Sequence, residues 1–127
     1  MDSIERELRE GFGDVARSIS THPVQFDPRL IDIWIDLDDG LDIIISPSES
    51  GESARINIGF YVFEPVSRAI IVQLIRQLAT RQASVSLCRG IFFRYVRLVV
   101  KVGSQEWISR RRYRGELESW EKDLKGK

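Results

Sequence analysis

Residues 30–46 read LIDIWIDLDDGLDIIIS, and this stretch predicts a β-hairpin. Apolar and polar side chains alternate along its first half, which is typical of a strand with one buried face. Asp39 and Gly40 supply the turn, because glycine accepts a positive φ without steric cost, and residues 41–46 return as the partner strand. The side chains expected on the buried face of the first strand are Ile31, Ile33, Ile35 and Leu37.

A third strand and a helix are expected after the hairpin. Residues 47–53 read as a polar loop, and residues 55–63 predict one further strand with Ile56, Ile58, Phe60 and Val62 on one face. Glu64 and Pro65 then begin a helix, because proline is favoured at the first helical position. The apolar stripe of this helix comprises Val66, Ile70, Leu74 and Leu78.

Helical spacing also occurs near the N-terminus. An apolar face recurs every three or four residues as far as Ile19. Thr21-His22-Pro23 is expected to end this helix, because the residue before a proline is pushed out of the α region. The members of the face are Ile4, Leu8, Phe12, Val15, Ala16 and Ile19.

The C-terminal half supplies the remaining elements. Residues 85–88 predict a short strand, and residues 91–102, rich in aromatic and β-branched side chains, predict a long one. A last helix is expected from the spacing of Tyr113, Leu117, Trp120 and Leu124. The sequence thus predicts a single α+β domain over residues 1–127. It would hold one antiparallel sheet of four to five strands with helices mainly on one face, in the order α-β-β-β-α-β(β)-α.

Composition limits the classes of protein to which the chain can belong. Its 127 residues suit one domain, and 43% hydrophobic with 30% charged residues are ordinary for a soluble globular protein. No apolar run approaches the roughly 18 to 20 residues of a membrane helix, and the acidic N-terminus is unlike a secretory signal. The single Cys88 excludes an internal disulfide and fits a reducing compartment. We therefore expect a cytoplasmic protein with no membrane partner.

Charge divides the chain into two halves. Residues 1–64 hold 14 acidic and 5 basic side chains, a net of −9, whereas residues 65–127 hold 5 acidic and 14 basic, a net of +9. The extremes lie over 27–52, with eight carboxylates and one arginine, and over 89–114, with eight cations and one glutamate. Such asymmetry indicates charged partners, although the two halves can also neutralise each other across one sheet.

Patterns typical of catalysis and metal binding are lacking. His22 lies in an expected loop with no partner at a suitable spacing, and Cys88 is more typical of a small buried hydrophobe than of a nucleophile. One His and one Cys do not make a usual structural zinc site. Counted from Asp36, positions six and twelve are Leu41 and Pro47, where a calcium-binding EF-hand needs Gly and Glu. A magnesium ion at two or three aspartates would require further ligands from elsewhere. We expect no enzymatic activity, no cofactor and no metal site.

The leading hypothesis is an acidic surface that binds a basic protein. An outward-facing tryptophan flanked by carboxylates is typical of an interface anchor. The expected partner-binding residues are Asp32, Trp34, Asp36, Asp38, Asp39 and Asp42. Such a patch imitates a nucleic-acid backbone and suits a partner with a cationic cleft, such as a nuclease toxin. In general character the chain is similar to bacterial immunity proteins and antitoxins. The similarity is one of protein class, and no sequence motif supports it.

Two alternatives remain open. The arginine-rich segment 110–114, with Trp107 nearby, predicts contacts to phosphates and stacking on bases. A sequence pI near 6.6 and the acidic half oppose that nucleic-acid hypothesis. A homo-oligomer, with the acidic half of one copy against the basic half of its neighbour, fits the same charge pattern. If Trp34 were instead covered by a helix or by the C-terminal segment, the acidic-surface hypothesis would fail.

Overall fold

The computed structural model describes residues 3–12, 18–24, 27–37 and 40–125. In chain order the elements are α1 (Ser3–Phe12), β1 (Ser18–Val24), β2 (Asp27–Asp36), β3 (Asp42–Pro47), β4 (Ser53–Ile58), β5 (Tyr61–Ser67), α2 (Arg68–Ala79), β6 (Ala83–Arg89), β7 (Arg94–Val102), β8 (Gln105–Arg112) and α3 (Ser119–Leu124). Strands β1 to β5 form one antiparallel sheet in sequential order, and β6 to β8 form a second. The predicted α+β class with an antiparallel sheet of up to five strands is confirmed. The separate three-stranded sheet is not among the predicted features.

The predicted hairpin forms the middle of the first sheet. Asp36 of β2 pairs with Asp42 of β3, and Gly40 between them has a φ of 72°, which glycine adopts without Cβ strain. The predicted alternation holds along most of β2. Ile33 and Ile35 of β2 and Leu37 directly after it are buried, while Ile31 is exposed.

Helix α2 is the centre of the core. It contacts β4 and β5 of the first sheet and β7 of the second, while α1 packs on α2 and α3 packs on β6. The two sheets meet at their edges, where Val62 N–H of β5 donates to Ser109 Oγ of β8 at 3.0 Å. Burial of each large apolar side chain contributes roughly 1.5–3 kcal/mol. Buried side chains of α2 and the second sheet include Ile71, Leu74, Ile75, Leu78, Val85, Val96, Leu98 and Val100. Among the helices described, none is long and apolar enough to cross a membrane.

The N-terminal helix is shorter than the prediction. Helix α1 ends at Phe12, and Ile19, His22 and Pro23 lie in strand β1. This segment is a strand because its backbone pairs with β2, although its apolar residues recur at helical spacing. Pro23 has no N–H to donate, and β1 tolerates it because an edge strand leaves one side unpaired. Two members of the predicted helical face lie outside the described residues, Val15 and Ala16.

The predicted strand over 55–63 is a hairpin. Ile58 at the end of β4 pairs with Tyr61 at the start of β5, and Gly59 between them has a φ of 57°. That left-handed conformation is incompatible with one continuous strand. The turn moves Phe60 and Val62 to exposed positions, whereas Ile56 and Ile58 of the same predicted face are buried.

The second helix begins later than the prediction. Glu64 and Pro65 lie inside β5, joined by a cis peptide bond, and α2 begins at Arg68 after Ser67 as its N-cap. Strand β5 is the edge of the first sheet, which is where a strand accommodates proline. Val66 is therefore buried as a strand residue and not as part of the helical stripe.

The C-terminal region holds a strand that was not predicted. Residues 105–112 form β8 and pair along β7, so the predicted helix is reduced to Ser119–Leu124. Tyr113 and Leu117 precede that helix, and only Trp120 and Leu124 of the predicted set lie in it, both buried. Residues 91–93 are also not strand, because Gly90 N–H donates to the Phe93 carbonyl at 3.0 Å and closes a turn.

Candidate protein-binding face

Strand alternation brings a tryptophan and carboxylates to the outer face of the first sheet. Because Ile33 and Ile35 of β2 are buried, Asp32, Trp34 and Asp36 project from its opposite side. Asp42 of β3 lies directly opposite Asp36 in the antiparallel register. We call Asp32, Trp34, Asp36 and Asp42 the acidic face. The other two predicted members, Asp38 and Asp39, lie outside the described residues.

Trp34 is the exposed aromatic residue of the acidic face. It is 46% exposed, and one side of its indole meets His22 of β1, with ring centroids 4.4 Å apart. Ser20 Oγ and His22 Nε2 lie 3.0 Å apart and share a hydrogen bond. The imidazole is thereby held against Trp34, which remains about half exposed.

A small cavity opens beside Trp34. Its volume is about 290 Å³, and its lining residues include Trp34, the paired Asp36 and Asp42, and Ile44. Pockets for drug-sized ligands start at roughly 300 Å³, so this cavity suits a single protein side chain better than a whole ligand.

Electrostatic repulsion acts within the acidic face. Partial burial raises the pKa of Asp42, and the neighbouring Asp36 raises it further by repulsion and by a side-chain hydrogen bond. Glu118, at the N-cap of α3, adds a smaller repulsion. Sequence reasoning missed Glu118, because only the packing of α3 brings it near β3. A cation placed between these carboxylates would relieve the repulsion.

Strand alternation divides the arginine-rich segment. Arg110 and Arg112 lie on the outer face of the second sheet, whereas Arg111 turns inward and its side chain is 8% exposed. Arg111 Nε donates to Glu121 Oε2 at 2.8 Å, and its Nη2 donates to Glu121 Oε1 at 2.6 Å. The segment is therefore divided between a buried ion pair at Arg111 and an exposed basic surface at Arg110 and Arg112.

Glu121 is the acceptor of a buried network that fixes α3. Its side chain is 0% exposed, and besides Arg111 it accepts hydrogen bonds from Tyr61 Oη and from the Glu118 backbone N–H. Burial by itself would raise the pKa of Glu121, but the hydrogen bonds from Arg111, Tyr61 and Glu118 outweigh it and hold this pKa below its ordinary value. Burial and the bond to Glu121 raise the pKa of Tyr61, so its hydroxyl remains a donor. No sequence signal links these distant residues.

The two residues considered for catalysis have structural contacts. His22 lies against Trp34, as described above, and the half-buried Cys88 contacts the Ser86 carbonyl, with Sγ 3.9 Å from the oxygen. Among the residues that the structure describes, no group of three or more His, Cys, Asp and Glu side chains is arranged to hold a metal ion.

Comparisons with protein-family models, with curated proteins and with solved structures find no match to this chain. The described residues present two charged surfaces, the acidic face of the first sheet and the arginine-bearing outer face of the second.

Proposed function

We propose that the chain is a non-enzymatic protein-binding module whose acidic face docks a basic partner protein. The observation that carries this proposal is the exposure of Trp34 on the same surface as three carboxylates. Tryptophan is enriched among the residues that dominate protein–protein binding energy. Covering the indole would also remove apolar surface from water, which favours association.

The partner is expected to insert a lysine or arginine side chain beside Trp34. The cavity there places a cation next to the indole and near both Asp36 and Asp42. Cation–π attraction and relief of the repulsion between the carboxylates both favour such an arrangement. Binding would then lower the pKa of Asp42, opposite to the shift in the free protein.

A toxin with a cationic nucleic-acid cleft fits these requirements. The carboxylates of the acidic face resemble the charge of a nucleic-acid backbone. Complementary charge would speed the encounter and disfavour other partners. We therefore propose an immunity or antitoxin role, in which the chain inhibits a nuclease toxin in a bacterial cytoplasm.

Affinity capture with matched variants tests this proposal. Tagged protein is exposed to lysate of the native cell after nuclease treatment, and captured proteins are quantified by mass spectrometry. We expect one basic protein, retained by wild type and by Glu49→Lys, a charge reversal in the exposed turn after β3. Trp34→Ala and Asp36→Lys should lose it. With the purified partner, Trp34→Ala should weaken binding about thirtyfold, since truncating an anchor costs about 2 kcal/mol.

Two results would contradict the proposal. One is equal capture by Trp34→Ala, Asp36→Lys and wild type, which would place the interface elsewhere. The other is a wild type that forms a homo-oligomer at low salt and dissociates at high salt or on Asp36→Lys substitution, measured by size-exclusion chromatography with light scattering. That outcome would assign the acidic face to a second copy of this chain.

A further inference from the structure

The outer face of the second sheet is basic and aromatic. The apolar residues of β7 alternate with Tyr95 and Arg97, which project from the side opposite the core. The register sets Arg112 opposite Tyr95 and Arg110 opposite Arg97. Together with Phe93, which precedes β7 at the same spacing, these residues form what we call the basic-aromatic face.

Contacts between arginines and rings order this face before any ligand arrives. Arg110 Cζ lies 4.9 Å from the ring centroid of Tyr95, and Arg112 Cζ lies 4.9 Å from that of Phe93. Such cation–π contacts hold the guanidinium groups in place, which reduces the side-chain entropy lost on binding. The Nε–H of Arg97 is buried and makes no hydrogen bond to any described residue.

The charge of the face is strongly one-sided. The charged side chains that the register places on it are Arg97, Lys101, Arg110, Arg112 and Glu106. The one carboxylate among them is that of Glu106, at the end of the sheet far from the rings, and its Oε1 lies 4.0 Å from Lys101 Nζ. Three arginines therefore remain around the aromatic residues, and their complement is a polyanion.

Exposed apolar side chains continue the face into the turn before β7. A cavity of about 540 Å³ is lined by the turn and by Phe93, Tyr95 and the neighbouring arginines. Ile91 and Phe92 in this turn are 94% and 92% exposed. Large apolar side chains held in solvent beside cations mark an interaction site, and Phe92 adds a third ring.

We propose that the basic-aromatic face binds single-stranded nucleic acid. Arg97, Arg110 and Arg112 would contact phosphates, while bases stack on Phe93 and Tyr95. A single strand fits better than a duplex, because paired bases are already stacked and hide their faces. An acidic protein segment would match the charge but would leave the rings unused. The site lies on the other sheet from the acidic face and does not depend on the proposed protein-binding function.

Fluorescence anisotropy with a labelled oligo-dT of about 15 nucleotides tests the site. Arg110→Gln with Arg112→Gln should weaken binding at least tenfold. The matched control is Arg6→Gln with Arg55→Gln, two exposed positions off this face with the same change in charge, which should leave affinity within about twofold. Three phosphate contacts give a salt slope near −2, and removing two should flatten it by about 1.4. Tyr95→Leu, which keeps apolar bulk but removes the ring, should weaken binding about fivefold or more.

Competing outcomes are separated in the same experiment. Failure of wild type to bind at low salt, equal losses in the two arginine pairs, or duplex DNA binding as tightly as oligo-dT would each overturn the proposal. The proposal would also be overturned if the wild type forms an oligomer, and if Arg110→Gln with Arg112→Gln abolishes that oligomer but leaves the affinity for oligo-dT unchanged. Asp36→Lys should not weaken binding to oligo-dT, so this proposal and the protein-binding proposal fail independently.

Discussion

Replacing Glu121 with glutamine tests the buried network that anchors α3. The substitution keeps the size of the side chain but removes the negative charge that balances Arg111, and both side chains are nearly inaccessible to solvent. Breaking a buried ion pair from one side costs about 3–5 kcal/mol, because the other charge remains uncompensated. We expect Glu121→Gln to lower the free energy of unfolding by that amount, which is a large part of the roughly 5–15 kcal/mol of a typical domain.

Urea unfolding at pH 7, followed by tryptophan fluorescence and circular dichroism, measures this loss. Tyr61→Phe removes one hydrogen bond to the carboxylate and should cost less, about 1.5–3 kcal/mol. Arg111→Met combined with Glu121→Leu removes both charges and should be more stable than either charge-removing single variant. An anchoring role for this network is refuted if Glu121→Gln lowers the free energy of unfolding by less than about 1 kcal/mol. It is also refuted if Arg111→Met with Glu121→Leu lowers that free energy by as much as the two single substitutions, Arg111→Met and Glu121→Leu, added together.

Acid unfolding provides a second test of the same network. The pKa of Glu121 is lower in the folded chain than its ordinary 4.5, so the ionised carboxylate stabilises the fold above that pH. This stabilisation is lost as the pH falls through the pKa of the folded state. Wild type should therefore lose stability below about pH 4.5 more steeply than Glu121→Gln does. If the free energy of unfolding of the two proteins fell equally steeply below that pH, the ionised Glu121 would not stabilise the fold.

Two further substitutions test local features by urea unfolding. Gly90→Ala should cost about 1–3 kcal/mol, because a Cβ there would lie 2.5 Å from the Phe93 carbonyl oxygen; an unchanged midpoint would show that the turn relaxes freely. Asp42→Asn should stabilise the fold at pH 7 by roughly 0.2–0.5 kcal/mol, since partial burial and then repulsion from Asp36 disfavour the ionised carboxylate in a solvent-screened setting. Because the pKa of Asp42 is raised in the folded state, this gain should vanish below about pH 3.8, and a gain that persists at lower pH would contradict the cause assigned.

Local patterns predicted the hairpin and the acidic face well. The alternation specifies that Ile33, Ile35 and Leu37 are buried, although it fails at Ile31, and the outward positions of Asp32, Trp34 and Asp36 follow from the same period of two. Gly40 marks the turn because its φ is positive. These features depend on residues adjacent in sequence, so they can be read without the rest of the fold.

The spacing of apolar residues predicted the wrong element where strand pairing in the folded chain competes with local preference. Ile19 fits a helical face, yet the free edge of β2 draws its segment into a strand. Residues 105–112 carry no clear apolar alternation, because β8 mixes arginines on both of its faces. Because successive side chains of β8 point to opposite faces, Arg111 is buried against Glu121, whereas Arg110 and Arg112 are exposed on the outer face.

The sequence by itself determined the α+β class, the central hairpin and the outward row of carboxylates around Trp34, because hydrophobic periodicity and turn chemistry act over a few residues. Only the tertiary structure decided that Arg111 meets Glu121 and Tyr61, that Glu118 approaches Asp42, and that a second sheet presents rings and arginines together. Those contacts join residues far apart in the chain, and their pairing is selected by the burial and hydrogen bonding of the whole fold.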